Sequence, residues 1–296
     1  MRQLKLNRIQ TSTIIVYCIL VVAAISCIAP FILMIASSVT EEMTLIVNGY
    51  RFWPKKTSLE AYRYLWRNAT YLGRAYLITI LITAIGTASH ILLTITLGYA
   101  CSRRDLPGNS ILNLAVIITM LFSGGMLPTY LVYTDILHIK NTLFALLIPT
   151  LLMSGFNVML ARSYFQTSIP FSIIESSRID GAGEFRTFTE IVTPLSLPII
   201  STIGLFAGVR YWNDWYNGML YLTDTKLYNI QNVLNQMLMN IQFLKSNPES
   251  ATSALNAPSS SVRMAIAAIA VIPILLVYPF FQKYFVKGIA IGAVKE

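Results

Sequence analysis

The sequence predicts an all-α membrane protein that crosses the bilayer six times, and three observations carry the prediction. Of its 296 residues, 55% are hydrophobic and 12% charged, with a mean hydropathy of +0.61; an average soluble domain carries roughly 25% charge. Six long stretches are nearly free of charge, and a helix needs about 20 apolar residues to cross a hydrocarbon core of about 30 Å. None resembles the alternating segments of about 10 residues that build an outer-membrane barrel.

The first stretch is Thr11–Ser38, preceded by Arg2, Lys5 and Arg8. Its length is about twice that of a signal peptide's apolar region, and no small-residue cleavage site follows, so it is read as a retained helix after a cytoplasmic tail. An external segment, residues 39–70, comes next. Within it Ser58 can cap a short helix with Leu59, Tyr62, Leu65 and Trp66 on one face, the pattern of a helix lying in the membrane interface. A compact core is expected over residues 71–283.

The second stretch is Ala75–Ser102, interrupted only by His90, which is read as a helix-contact residue. The third is Leu106–Thr134, closed by Asp135, and the fourth Asn141–Ala161, extending to about residue 165. The fifth is Ile191–Val209 with a polar, aromatic extension to about residue 222. Between it and the last stretch, Met264–Gln282, residues 229–240 place Ile230, Val233, Leu234, Met237 and Leu238 at helical spacing. Residues 247–261, rich in Ser, Asn, Ala and Pro, read as a loop, and 284–296 as a cytoplasmic tail. The three cysteines, Cys18, Cys27 and Cys101, fall within or at the end of apolar stretches and imply neither disulfide nor metal site. No phosphate loop, dinucleotide fingerprint, metal-ligand cluster or nucleophile motif is present, so the chain itself is expected to bind no cofactor and to have no catalytic residues. Nucleic acid is not an expected partner; membrane lipid is.

An even number of crossings puts both termini on one side, and the charged short loops at Arg103-Arg104 and at Arg162, Arg178 and Arg186 favour the cytoplasm. Arg51, Lys55, Lys56, Arg63, Arg67 and Arg74 oppose it, so lysine and arginine divide about equally between the faces.

The informative segment is IPFSIIESSRIDGAGEFRTFTEIVTPLSLP, from Ile169. Pro170 suits a first helical turn and Gly181 a left-handed stop; a second helix can begin at Glu184, with Phe185, Phe188, Ile191 and Val192 on one face. Pro194 and Pro198 then open the fifth crossing. Glu175, Ser176, Ser177, Gly181, Ile191 and Pro194 stand at the spacing of the EAA loop (169–194), which this segment resembles: the signature of permease subunits in ATP-binding cassette importers. Both alanines of that pattern are serine here, and Thr193 stands for its leucine.

The resemblance implies a type I importer permease in a bacterial cytoplasmic membrane, paired with a second permease, two ATPase subunits that hold ATP and Mg, and an extracytoplasmic solute-binding protein. Glu175, Ser176, Ser177, Arg178, Asp180, Gly181 and Ala182 would form the helix that docks on the ATPase, and Lys287 to Glu296 a tail touching the ATPase pair. Asn213-Asp214-Trp215, the stretch Gly124 to Tyr130 and the ending Gln282 to Gly288 resemble carbohydrate-uptake permeases of the maltose, multiple-sugar and oligosaccharide types. For a sugar path, Asn157, Trp212, Asn213, Asp214 and Trp215 are the candidates, since aromatic faces and amides bind sugars; helix–helix packing is the competing role. An ion-coupled secondary transporter is the alternative function, and the scarcity of intramembrane charge speaks against it.

Overall fold

A computed structural model describes residues 11–246 and 260–293. The regular structure of the described residues is helical apart from one antiparallel bridge, Thr40–Thr57. The chain divides into two compact units, one running as far as Ala69 and joined by Met237–Ile272, the other comprising Thr70–Gln236 and the chain from Pro273 onward.

In the first unit, α1 (Thr11–Ser38) is one helix with Pro30 inside it, and its most apolar 18-residue window is unburied, leaving Ile19, Leu20 and Val22 exposed as a lipid-facing helix requires. The Thr40–Thr57 bridge, with Ser58 N–H donating to Val39 O at 2.9 Å, folds the next segment back. Between the bridged residues lies α2 (Glu42–Asn48), ended by Gly49 at φ 69. α3 (Glu60–Arg67) has Leu59 as its N-cap, one residue after the expected Ser58, whose Oγ accepts the Glu60 N–H at 3.2 Å. Its expected apolar face is turned, however. Tyr62 OH bonds Ser38 Oγ at 2.8 Å, and this contact brings Ala61 and Leu65 inward while Leu59 and Trp66 stay 65% and 82% exposed.

α15 (Ser260–Ala293) starts inside the stretch read as loop, because the Glu42 carboxylate accepts the N–H groups of Ser260 and Ser261 at 2.8 and 2.9 Å. A carboxylate on the unpaired donors of a helix N-terminus is favourable for both hydrogen bonding and dipole.

In the second unit, α4 (Ala69–Ser102) has 34 residues and is the scaffold. At 1.5 Å per residue it is about 51 Å long, longer than a bilayer core. Two glycines admit neighbours: a Cβ at Gly86 would overlap the Tyr211 ring, and one at Gly98 would press on Ala161. The third stretch is not one helix. After α5 (Asn109–Leu121) the chain bends by 115° before α6 (Met126–Leu131), which continues as a π-helical turn, Val132–Ile136. Ser123-Gly124-Gly125, with Gly125 at φ 83, makes the bend.

The fourth stretch is interrupted as well, into α7 (Phe144–Leu147) and α8 (Gly155–Ser168). Pro149 has no N–H to continue the ladder, and Thr150 adopts φ 59. The carbonyls freed by this break are received by side chains from other helices. Tyr211 OH donates to Leu147 O at 2.8 Å, Asn217 Nδ2 to Pro149 O at 2.9 Å, Arg210 Nη2 to Thr150 O at 2.8 Å and His90 Nδ1 to Leu151 O at 2.8 Å. Unwound backbone is tolerated at membrane depth only when it is satisfied in this way.

After α9 (Phe171–Ile179), α10 (Glu184–Arg186) runs through a π turn, Thr187–Val192, into α11 (Thr193–Leu195). The chain then bends by 79°, and α12 (Leu197–Trp212) starts six residues later than the fifth stretch predicts. A break at Asn213–Trp215 divides α12 from α13 (Tyr216–Tyr221), and a 3-10 turn, Thr225–Leu227, precedes α14 (Ile230–Ser246). The last element is α15 (Ser260–Ala293), with Pro273 and Pro279 inside it. It carries helix into the expected tail; residues 247–259 of the expected loop and 294–296 of the tail lie outside the described residues, as do the side chains of Lys287 to Glu296.

Two helices, Thr13–Ser38 and Ala69–Ser102, are each long and apolar enough to cross a membrane, and four crossings result if each bent pair is one. The result is an all-α polytopic membrane fold whose apolar stretches are bent and broken rather than six straight rods.

Candidate functional site

The segment after α8 folds into a helix, a tight turn and a second helix. Pro170 sits at the N-cap of α9. At the other end Ala182 N–H donates to Ser177 O at 2.9 Å and Gly181 N–H to Arg178 O at 3.0 Å. These 6→1 and 5→2 bonds form a Schellman motif, with Gly181 at φ 81 in its left-handed position. Small residues bring the two helices together: Ser177, 4% exposed, bonds Thr187 Oγ1 at 3.1 Å. Ile174, Val192 and Ile199 pack with Ile95, Phe165 and Ile203 beneath.

Thr187 and Val192, five residues apart, share the buried side of the second helix, the repeat that a π turn imposes. The expected packed face is altered accordingly. Val192 is buried and Phe188 half-buried, but Phe185, ahead of the wider turn, is 81% exposed. Of the other predicted docking residues, Glu175, Ser176 and Asp180 are exposed and Ala182 is half-buried; Ser176 Oγ donates back to Ser172 O at 2.8 Å. The surface is therefore a convex knob bearing the acids Glu175 and Asp180 and two large apolar side chains, Ile179 (85% exposed) and Phe185.

Arg178 is directed elsewhere. It joins a four-residue charge network that ties the knob to the end of α4, and sequence reasoning does not anticipate this network. Arg103, its side chain 8% exposed, donates to both oxygens of Asp105 (2.8 and 2.7 Å), to both of Glu184 (2.8 and 3.1 Å) and to Tyr99 OH (2.6 Å). Arg178 Nη2 reaches Asp105 at 2.7 Å and Glu184 at 2.6 Å. Beside the network lies a cleft of about 440 Å³, lined by Ser102, Arg104, Phe165, Gln166, Ile169 and Phe171 among others. The signal in the sequence is the run Arg103-Arg104-Asp105, which reads only as loop charge because its partners are 73 and 81 residues away.

Hydrogen bonds from Arg103 and then Arg178 hold the Asp105 and Glu184 carboxyls below their ordinary values. A carboxylate with a lowered folded pKa contributes stability above its unfolded value, near 4 for both, and loses it as pH falls through the folded value. Protection of α9 amides from hydrogen exchange, corrected for intrinsic rates, should therefore stay constant from pH 8 to about 5 and fall only in stronger acid.

The proposed path residues gather at the two helix breaks. Asn157, 3% exposed, donates to His90 Nε2 at 2.8 Å, and since His90 Nδ1 must donate to Leu151 O, the ring is the neutral Nδ1–H tautomer. Each thus has a hydrogen-bond partner within the fold. Trp212 is 7% exposed, whereas Asn213 and Trp215 are exposed. Asn213 Oδ1 accepts from Gln231 Nε2 at 3.2 Å, and Asp214 Oδ1 accepts the Asn217 N–H at 3.2 Å. Asn229 and Asn232, not foreseen, donate to Asp214 O and Trp215 O at 2.6 and 2.7 Å and hold the second break in shape. Among the described residues no group of three or more His, Cys, Asp or Glu is placed to hold a metal ion.

Residues 10–291 match the family described as binding-protein-dependent transport system inner membrane component. The chain is 38% identical over 281 residues, 95% of its length and 97% of the relative's, to the polygalacturonan/rhamnogalacturonan transport system permease protein YtcP of Bacillus subtilis (strain 168). Protein LplC of the same organism is 38% identical over 90% of this chain and 89% of its own. In structure the chain is similar to a bacterial ABC transporter involved in the import of the acidic polysaccharide alginate, with a TM-score of 0.80 and 26% identity over 96% of this chain and 100% of that one. With the helix–turn–helix knob in place at the expected spacing, the chain belongs to the binding-protein-dependent transport system inner membrane components, the non-catalytic permease subunits of ATP-binding cassette importers.

Proposed function

We propose that the chain, with a second permease, forms the membrane path of a carbohydrate importer for acidic oligosaccharides, and that its loop Ile169–Pro194 passes ATP-driven motion of two separate ATPase subunits to that path. The observation that carries the coupling reading is the knob itself: a rigid turn locked by two backbone bonds, exposing Glu175, Ile179, Asp180 and Phe185 and braced on α4 by paired arginines and carboxylates. Small residues and exposed acids suit close docking in a cleft of a partner protein. The carbohydrate reading draws on the relatives. YtcP is named for polygalacturonan and rhamnogalacturonan, and the similar structure for alginate, both acidic polymers. An extracytoplasmic solute-binding protein would deliver the sugar, and the exposed Asn213 and Trp215 beside the two helix breaks would line its way.

The chain crosses the membrane six times in this reading. α1, α4, the α5–α6 pair, α7 with α8, the α10–α12 pair and α15 each make one passage, and both termini are cytoplasmic. Single cysteines at Arg103, Glu175 and Lys295 should then resist an impermeant thiol reagent in intact cells, while those at Lys56 and Lys245 should react; labelling at position 175 would overturn the orientation.

For function, a strain without this chain should lose uptake of labelled trigalacturonate and regain it with the wild-type chain. Trp215→Ala and Asn213→Ala should restore it about tenfold less well, the cost of roughly one sugar contact, while still copurifying with the ATPase. Undiminished uptake of trigalacturonate in the deletion strain, with loss of neutral oligosaccharide uptake instead, would replace the acidic reading by a neutral one.

A further inference from the structure

We infer that Arg210 is the residue of this chain that receives a carboxylate of the translocated sugar, an assignment that rests on the acidic-oligosaccharide reading. Arg210 is the single charged residue of α12, in the sequence LPIISTIGLFAGVRYW. It lies about 20 Å along the helix from Leu197, well into the thickness of a bilayer core. A guanidinium is never neutral in a protein, so within a membrane helix it must face a cavity or a partner group.

The structure gives Arg210 half of such an arrangement. Its side chain is exposed, it forms no ion pair among the described residues, and its one hydrogen bond there is from Nη2 to the carbonyl of left-handed Thr150. That bond anchors the guanidinium against unwound backbone and leaves the rest of a five-donor fork available. Asp214, one turn on, makes no ion pair with it among the described residues. One of its oxygens takes the Asn217 N–H at 3.2 Å, and the other is buried with no hydrogen-bond partner among those residues. Just beyond it on the chain stand exposed groups of the kinds that a uronate would need. Asn213 is three residues further along the same face and exposed, with Gln231 at its amide oxygen, and Trp215 presents an open aromatic surface. A fork donor binds a carboxylate in two parallel hydrogen bonds, amides take the hydroxyls, and an indole face takes the sugar ring.

Holding Thr150 is the competing role for Arg210, and the two separate by substrate charge. In cells carrying the whole importer, uptake is measured for trigalacturonate and for the same trisaccharide with its carboxylates reduced to alcohols. Arg210→Gln should lower the ratio of acidic to neutral uptake at least about tenfold, the loss of one charge-assisted pair. Arg210→Lys, which keeps the charge but loses the fork, should give a ratio between those of the wild type and the glutamine variant. An equal fall for both sugars, an unchanged ratio, or a lysine variant no better than glutamine would overturn the assignment and leave Arg210 a brace for the helix break. Failure of the wild-type importer to take up trigalacturonate would instead remove the acidic reading, and the assignment with it.

Discussion

Gly181→Val should lower coupled transport about thirtyfold while leaving the chain in the membrane. The residue holds φ 81 between two backbone hydrogen bonds, and no atom lies within 4 Å of where a Cβ would stand, so the penalty is conformational rather than a collision. An L-residue in the left-handed region costs about 1–2 kcal/mol, at the upper end for a β-branched side chain, and about 2 kcal/mol corresponds to a thirtyfold loss of the correct turn. Because the knob is the part proposed to move with the ATPase, uptake and binding-protein-stimulated ATP hydrolysis should fall together by about that factor. Gly181→Asn should retain much of both, since asparagine tolerates the left-handed region. If valine and asparagine proved equally harmless, the turn would have no part in coupling.

Arg103→Ala should produce a comparable defect by loosening the knob from α4. The side chain makes five hydrogen bonds, four of them to carboxylate oxygens. Its carboxylate partners are 36% and 57% exposed, and Arg178 would remain on both. The sum of the individual bonds therefore overstates the loss, and about 2 kcal/mol is the expected effect. Transport should drop roughly thirtyfold, with protection of α9 amides falling in parallel. A double-mutant cycle with Glu184→Gln should show a coupling energy well above that of an exposed pair, which is about 0.2–1 kcal/mol. Additive effects within that range would make the network a surface decoration.

Much of this fold is legible in the sequence because hydrophobic content reports what must be kept from water. Thr11–Ser38 and the stretch ending at Ser102 appear as helices with those C-terminal bounds. The turn at Gly181 was legible for another reason: a glycine between two helical patterns, with Pro170 ahead and Pro194 and Pro198 behind, leaves the backbone few choices. Hydropathy is silent about dihedral angles, however, and so it joins across Gly124-Gly125 and Pro149, where the backbone breaks. Those residues were visible signals, but the left-handed Thr150 beside Pro149 was not. Long-range polar pairing is the other blind spot. Neither Arg103 with Glu184 nor His90 with Asn157 has any local pattern, and Arg210 looks from the sequence like the polar fringe of an apolar stretch. Asn157 itself illustrates the limit. A polar residue in a membrane stretch calls for a partner, and only the fold shows that His90 is one.

The Glu42 carboxylate on the first N–H groups of α15 bears on how the chain is made. The two ends of that contact are 218 residues apart. A ribosome at about 5–20 residues per second therefore takes roughly ten seconds or more between producing the acceptor and producing its donors. During that interval Glu42 exists without the helix it caps, and every intermediate helix is inserted before the first unit can close. A chain stopped short of Ser260 would leave the Glu42 carboxylate without those two N–H groups, however completely Thr70–Gln236 had folded, so truncated products would differ from finished ones at this contact.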